Sequence, residues 1–170
     1  MTAIPSLNTA RLRLRPFVEA DLDAYAEMCA DEEVMRYIGT GGAVGRDIAW
    51  RQMAMFLGHW TLRGYGMWAL ERRSDRRLIG RAGYLHPEGW PGNELAWLLE
   101  RDAWGHGYAF EAVNAARAFG RDALGVGELI SLIRADNTRS IALAQRLGAV
   151  DAGPVTVMGG EARLFRHPGA

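Results

Sequence analysis

The run Trp104-Gly105-His106-Gly107-Tyr108-Ala109 is the first place in this chain where residue type and spacing point to chemistry. Two glycines one residue apart permit backbone angles that other residues resist, so successive amides can aim at one anion. A helix beginning near Gly107 adds its positive dipole end. Such a turn holds a pyrophosphate without help from a lysine, and Ala109 leaves room for close approach. A tight turn with no ligand remains open on these residues alone. A dinucleotide turn of the GxGxxG kind is the rival, but Phe110 stands where its third glycine belongs, and the turn comes late in the chain.

All 20 basic residues are arginine, and there is no lysine. A Walker A phosphate loop and a pyridoxal-phosphate enzyme each depend on one, so both classes are excluded. The single Cys29 has no disulfide partner and no companions for a structural zinc site. It falls on the apolar stripe Leu22, Tyr25, Ala26 and Cys29, which favours a core thiol over a nucleophile. No metal is expected.

These residues need elements to position them. At 170 residues, 49% apolar and 24% charged, the chain is of ordinary globular composition and long enough for one domain, residues 1–170. Zero net charge gives no field to gather nucleic acid or an anionic membrane. The N-terminal residues lack a signal-peptide apolar core, no run is long enough to span a membrane, and a cytoplasmic location is the default.

Residues 10–17 alternate as a strand, and a helix follows from Glu19 to about Ala30. After the loop IGTGGAVG, a second helix runs from about Arg46 to Arg63, with the stripe Ile48, Met53, Leu57 and Trp60, ending at Gly64. MWALERR, LIGRAGYLH and NELAWLLE read as three strands, the last two separated by the loop HPEGWPG. The glycine turn then leads into a helix to about Leu124. ELISLIR is a strand, Asn137 to Leu147 a helix, and two strands close the chain near 150–157 and 162–167. The order β-α-α-β-β-β-α-β-α-β-β describes an α/β (α+β) protein with about seven strands.

LAWLLERDAWGHGYAFEAV followed by ADNTRSIALAQRLGAV resembles the GNAT acetyltransferase superfamily, in particular its RimJ/RimL-like branch. The opening RLRLRPFVEADLDAY and EEVMRYIG is similar as well, so the resemblance covers nearly the whole chain. It implies a mixed, twisted sheet with helices on both faces and a coenzyme A wedge between two parallel strands that splay apart. It further implies acetyl-CoA as co-substrate, with the pyrophosphate on the amides of Trp104, Gly105, His106, Gly107, Tyr108 and Ala109. Leu98 and Leu99 run beside the pantetheine arm and offer an amide to the thioester carbonyl, Asn137 holds the pantetheine, and Ser140 lies near the sulfur. Asn137 also reads as a helix N-cap, which does not conflict. Many relatives carry a tyrosine four residues before the glycine of Leu147-Gly148, as acid for the departing thiolate; here that residue is Ala144.

The implied reaction is attack of a primary amine on the thioester within a ternary complex. An α-amine has a pKa near ~8 and a lysine side chain near ~10.4, so a base helps at neutral pH. Glu94, on the same strand face as Ala96 and Leu98, is the expected base, with a surface carboxylate or an arginine partner as its alternative role. His86 is the reserve base and a candidate acceptor contact. Ser140 is the expected donor to sulfur in place of Ala144. Trp90 and Tyr37 are candidate walls of the acceptor pocket, whereas Trp60 and Trp68 are expected in the core. The acceptor is a small-molecule amine or a peptide N-terminus, and a homodimer remains open. A binding domain that senses acyl-CoA without turnover is the alternative function.

Overall fold

In the computed structural model, which describes residues 3–169, the chain forms one eight-stranded sheet and five α-helices. The strands are β1 (Leu7–Asn8), β2 (Leu12–Arg15), β3 (Met67–Arg72), β4 (Leu78–Leu85), β5 (Asn93–Leu99), β6 (Leu129–Ile133), β7 (Val150–Val157) and β8 (Gly160–Arg166). The helices are α1 (Leu22–Ala30), α2 (Glu32–Met35), α3 (Arg46–Arg63), α4 (Tyr108–Phe119) and α5 (Thr138–Arg146). All eleven elements expected from the sequence are present in order. Two additions, the two-residue β1 and the one-turn α2, are too short to leave a periodic signal. Among the described residues no helix is long and apolar enough to cross a membrane.

The sheet order is β1-β2-β3-β4-β5-β6-β8-β7, and every neighbouring pair is antiparallel except β5 with β6. That arrangement removes the dinucleotide-binding alternative, which requires a parallel sheet. Both faces of the centre are covered. On β3, Trp68 and Leu70 pack with Val113 and Ala116 of α4, while Met67 and Ala69 pack with Tyr25 of α1 and Phe56 of α3. A strand covered on both sides reads as a continuous apolar run, as Met67 to Leu70 does. Trp60 and Trp68 are buried as expected, with ring centroids 4.8 Å apart in an edge-to-face pair.

Helix α3 ends at Gly64, whose φ of 77° lets the chain leave the helix in the left-handed region. Its buried apolar residues are Ala49, Met53, Phe56 and Trp60, and His59 is buried beside them. Spacings of four, three and four keep those residues on one side, and Ile48 and Leu57 flank the stripe rather than form it.

Candidate active site

The parallel pair β5 and β6 is joined by only two register positions, Asn93 with Leu129 and Glu94 with Ile130. Past Glu94 the strands part, and Ser131 bridges the start of the gap by donating from Oγ to the Leu95 carbonyl, 2.6 Å away. Backbone groups alternate along a strand. Glu100 N–H donates to Ile79 O on the β4 side, so the even-numbered backbone groups of β5 face β4. The odd-numbered ones face the gap: Leu95 O meets Ser131, and Leu99 O accepts from Trp104 Nε1 at 3.0 Å. The amides of Trp97 and Leu99 therefore point into the opening. Leu98 lines it with its side chain only.

Two cavities meet at this gap. The first, about 360 Å³, runs from the end of β5 to the start of α4 and along α5; its walls include Leu98, Leu99, Trp104, Gly107, Tyr108 and Ala109. Gly105 and Gly107 have φ of 78° and 80°, the left-handed values that glycine alone adopts without strain. They turn the chain into α4 beside the cavity, whose wall includes Tyr108, Ala109 and Phe110, residues of the first turn whose amides no helical carbonyl can satisfy. His106 stands on the outer side, exposed, and does not line the cavity; its carbonyl accepts from Arg11 Nη1 at 2.8 Å.

The turn is fastened from behind. Glu111, in the first turn of α4, accepts from Thr9 Oγ1 at 2.5 Å, Arg11 N–H at 2.8 Å and Arg11 Nε at 2.7 Å. At the rim, the Arg139 guanidinium lies 3.7 Å over the Trp104 ring and that of Arg146 lies 4.1 Å over Phe110. An apolar channel with amides at one end and two arginines on its rim fits a pantetheine arm followed by phosphates.

The second cavity, about 410 Å³, lies on the α3 side of the gap, and its walls include Phe56, Arg81, Trp90 and Glu94. Tyr37, Ile38, Trp97, Asn137 and Ser140 line both cavities and so mark their junction. Asn137 caps α5, its Oδ1 accepting from Ser140 N–H at 3.3 Å, which leaves its side-chain amide hydrogens for a ligand. Trp97 Nε1 donates to Ser140 Oγ at 3.3 Å, so the Ser140 hydroxyl proton is free to be donated elsewhere. Ala144 is fully buried against Ile133, Ala149 and Phe165 and faces neither cavity.

Glu94 is buried, and Trp90 Nε1 donates to its Oε2 at 2.8 Å. Burial pushes this carboxyl up to about 7, against the opposing pull of the Trp90 indole, the Leu132 amide and the Arg81 charge. An ionisable group in a cavity wall that titrates near neutrality is suited to moving protons. His86 is placed differently. Leu85 pairs with Glu94 across β4 and β5, so the next residue turns to the other face, where Nδ1 lies 3.4 Å from the Tyr65 hydroxyl. It lines neither cavity. Cys29 is a buried core thiol whose pKa is raised by that burial.

Arg81 and Gln52 in the second cavity escaped the sequence reading, as did Val157, Met158 and Ala162 from the β7–β8 hairpin. Trp97 was legible as a strand residue but not as the junction of two cavities.

The chain matches the model of the acetyltransferase (GNAT) domain family over residues 11–150. A solved acetyltransferase from Agrobacterium tumefaciens superposes with a TM-score of 0.86 at 30% identity, covering 99% of this chain and 96% of that one. The uncharacterized N-acetyltransferase YoaA of Bacillus subtilis is 26% identical over 149 residues, 85% of this chain and 82% of the relative. The ribosomal-protein-S5-alanine acetyltransferase of Vibrio fischeri, 15% identical with 96% of each chain covered, shares the fold at a TM-score of 0.76. This chain belongs to the GNAT family and is an acetyltransferase.

Proposed function

We propose that the chain transfers the acetyl group of acetyl-CoA to a primary amine, with Glu94 as base. The observation that carries this reading is the junction of two cavities on β5, one shaped for a pantetheine arm and one holding a carboxyl that titrates near neutrality. The first-turn amides of α4 and the rim arginines Arg139 and Arg146 hold the phosphates, and Leu98 and Leu99 flank the arm. Asn137 offers its amide to the pantetheine.

The amine enters from the second cavity and attacks the thioester carbonyl carbon. The Trp97 or Leu99 amide, pointing into the gap, stabilises the oxyanion. Glu94 takes the proton lost by the amine, directly or through a water. As the carbon–sulfur bond breaks, Ser140 donates a hydrogen bond to the departing thiolate from its free O–H. The products are an N-acetyl amine and free coenzyme A. The Vibrio fischeri relative, named for a ribosomal protein, favours a protein amine such as a peptide N-terminus. A small amine is admitted by the same chemistry.

Calorimetric titration with acetyl-CoA, with NADH as control, followed by thiol-release assays over a panel of amines, tests the reading. Micromolar binding of acetyl-CoA alone and turnover with some amine support it. Binding with no turnover on any amine leaves the acyl-CoA-sensing alternative, and absence of acetyl-CoA binding removes both.

A further inference from the structure

Arg81 is 7% exposed, the only arginine so deeply buried among the described residues, and it lines the second cavity. No carboxylate pairs with it among those residues. Its contacts are a hydrogen bond from Nε to the Tyr25 hydroxyl at 3.0 Å and the Phe56 ring, 5.1 Å from the guanidinium carbon. The Tyr25 hydroxyl in turn donates to Gln52 Oε1 at 2.7 Å. That chain of bonds fixes both cavity-lining side chains. Arg81 spends one of five donors on it, and Gln52 spends its carbonyl, so the outer guanidinium nitrogens and the Gln52 amide group have no partner among the described residues.

A cation removed from water without an anion is costly to keep, and an anion arriving from solution relieves that cost. Glu94 does not serve. The pairing of Arg81 with Leu98 and of Leu85 with Glu94 puts both residues on one face, four positions apart. At about 3.3 Å per residue their Cα atoms are roughly 13 Å apart; the Arg81 charge reaches Glu94 through space, but each side chain bonds elsewhere, Arg81 to Tyr25 and Glu94 to Trp90, which suits the two to gripping opposite ends of one small molecule. A guanidinium fork beside an amide donor matches the two coplanar oxygens of a carboxylate.

We propose that the acceptor is an amine that carries a carboxylate, and that Arg81 with Gln52 receives this carboxylate while the amine lies toward Glu94 and the junction. The proposal rests on the transfer reading above and narrows its acceptor. A cavity of about 410 Å³ is of the size that takes small molecules. The same chemistry is offered by a free amino acid and by an acidic residue at a peptide N-terminus.

The test pairs each acid with its own carboxamide. Glycine, alanine, β-alanine and γ-aminobutyrate are assayed against their amides by thiol release, and peptides opening with Asp or Glu against those opening with Asn or Gln. The expected result is a kcat/KM at least tenfold higher for the acid in one of the two sets, which also tells free amino acid from peptide. In Arg81→Gln that ratio falls toward one, and in Gln52→Leu it falls severalfold. A ratio near one in the unaltered protein overturns the proposal, as does a folded Arg81→Gln protein that keeps the full ratio. Should Arg81→Gln not fold, the ratio in the unaltered protein and its change in Gln52→Leu still decide. Calorimetry of the same pairs against the coenzyme A complex reads the preference without turnover. Acid-selective binding with no transfer sinks the transfer reading and keeps the carboxylate site; binding of none of the acids removes the site.

Discussion

The Trp90 indole donates to Glu94 Oε2 at 2.8 Å, which ties the loop between β4 and β5 to the carboxyl buried in the wall of the second cavity. The bond favours the ionised carboxylate, while burial favours the acid, and burial prevails.

A base must be ionised to accept a proton, so kcat/KM is expected to rise with pH through about 7, the value to which burial pushes Glu94. Glu94→Gln removes that limb and lowers kcat by about 10²–10⁴, the usual contribution of a general base. Trp90→Phe takes away a bond that held the carboxyl down, so its limb moves to higher pH. Measured pH–rate profiles of the three proteins check both statements. A Trp90→Phe limb displaced to lower pH contradicts the assigned direction.

Stability carries the same carboxyl with the opposite sense to a second buried group. His167 is held near 4 by burial, with the Arg117 charge adding to it. Between about 4.5 and 7 the folded state keeps a proton on Glu94 that the unfolded chain releases, so this group's contribution falls as pH rises. Between about 4 and 6.5 the unfolded chain binds a proton on His167 that the folded state refuses, so that contribution rises with pH. The two slopes offset over their shared window. Denaturant midpoints compared with the unaltered protein are expected to rise more steeply with pH in Glu94→Gln and to fall with pH in His167→Gln.

The order of elements was legible because helical stripes, alternating strands and short continuous apolar runs such as those of β3 and β4 stand apart from one another, and most of the expected helices stop at a glycine. Period-two alternation also placed Glu94 on one face with Ala96 and Leu98. The same rule, combined with the Leu85–Glu94 register, turns His86 away, but that register exists only once β4 and β5 are paired. Strand parity likewise decides that Trp97 and Leu99, rather than Leu98, aim their amides into the gap, and it needs one hydrogen bond to set its phase. Arg81 and Gln52 come together through Tyr25, from three elements far apart in sequence, and no local pattern announces such a meeting. Ala144 in place of a tyrosine looked like a missing acid; that position faces the core, and Ser140 and Tyr37 are the hydroxyls shared by the two cavities.

Ser140 accepts from Trp97 and keeps its own proton for a ligand. If it donates to the thiolate, Ser140→Ala loses a bond made most strongly as sulfur becomes charged, and kcat falls about tenfold, for ~1.4 kcal/mol of lost stabilisation. The dissociation constant for acetyl-CoA, measured by calorimetry, changes little, because the bond is weak to a neutral thioester. A loss of affinity with kcat unchanged assigns Ser140 to binding alone.

Gly107 separates the role of the turn from that of space. A Cβ there comes within 3.5 Å of Arg11 Nη2, an ordinary contact, so a small side chain is not blocked. The obstacle is φ of 80°, which costs an alanine about 1–2 kcal/mol and drives the backbone toward angles that redirect the first amides of α4. Gly107→Ala is expected to weaken acetyl-CoA binding tenfold or more. Gly125, with φ of 57° and no atom within 4 Å of its would-be Cβ, sits beyond the other end of the same helical stretch and serves as control. Gly125→Ala carries a similar conformational cost, so its denaturation midpoint drops comparably while its affinity for acetyl-CoA is unchanged. Two variants matched in stability but split in affinity place the phosphate contact on the amides of the turn; two variants that lose affinity alike trace the loss to general destabilisation instead.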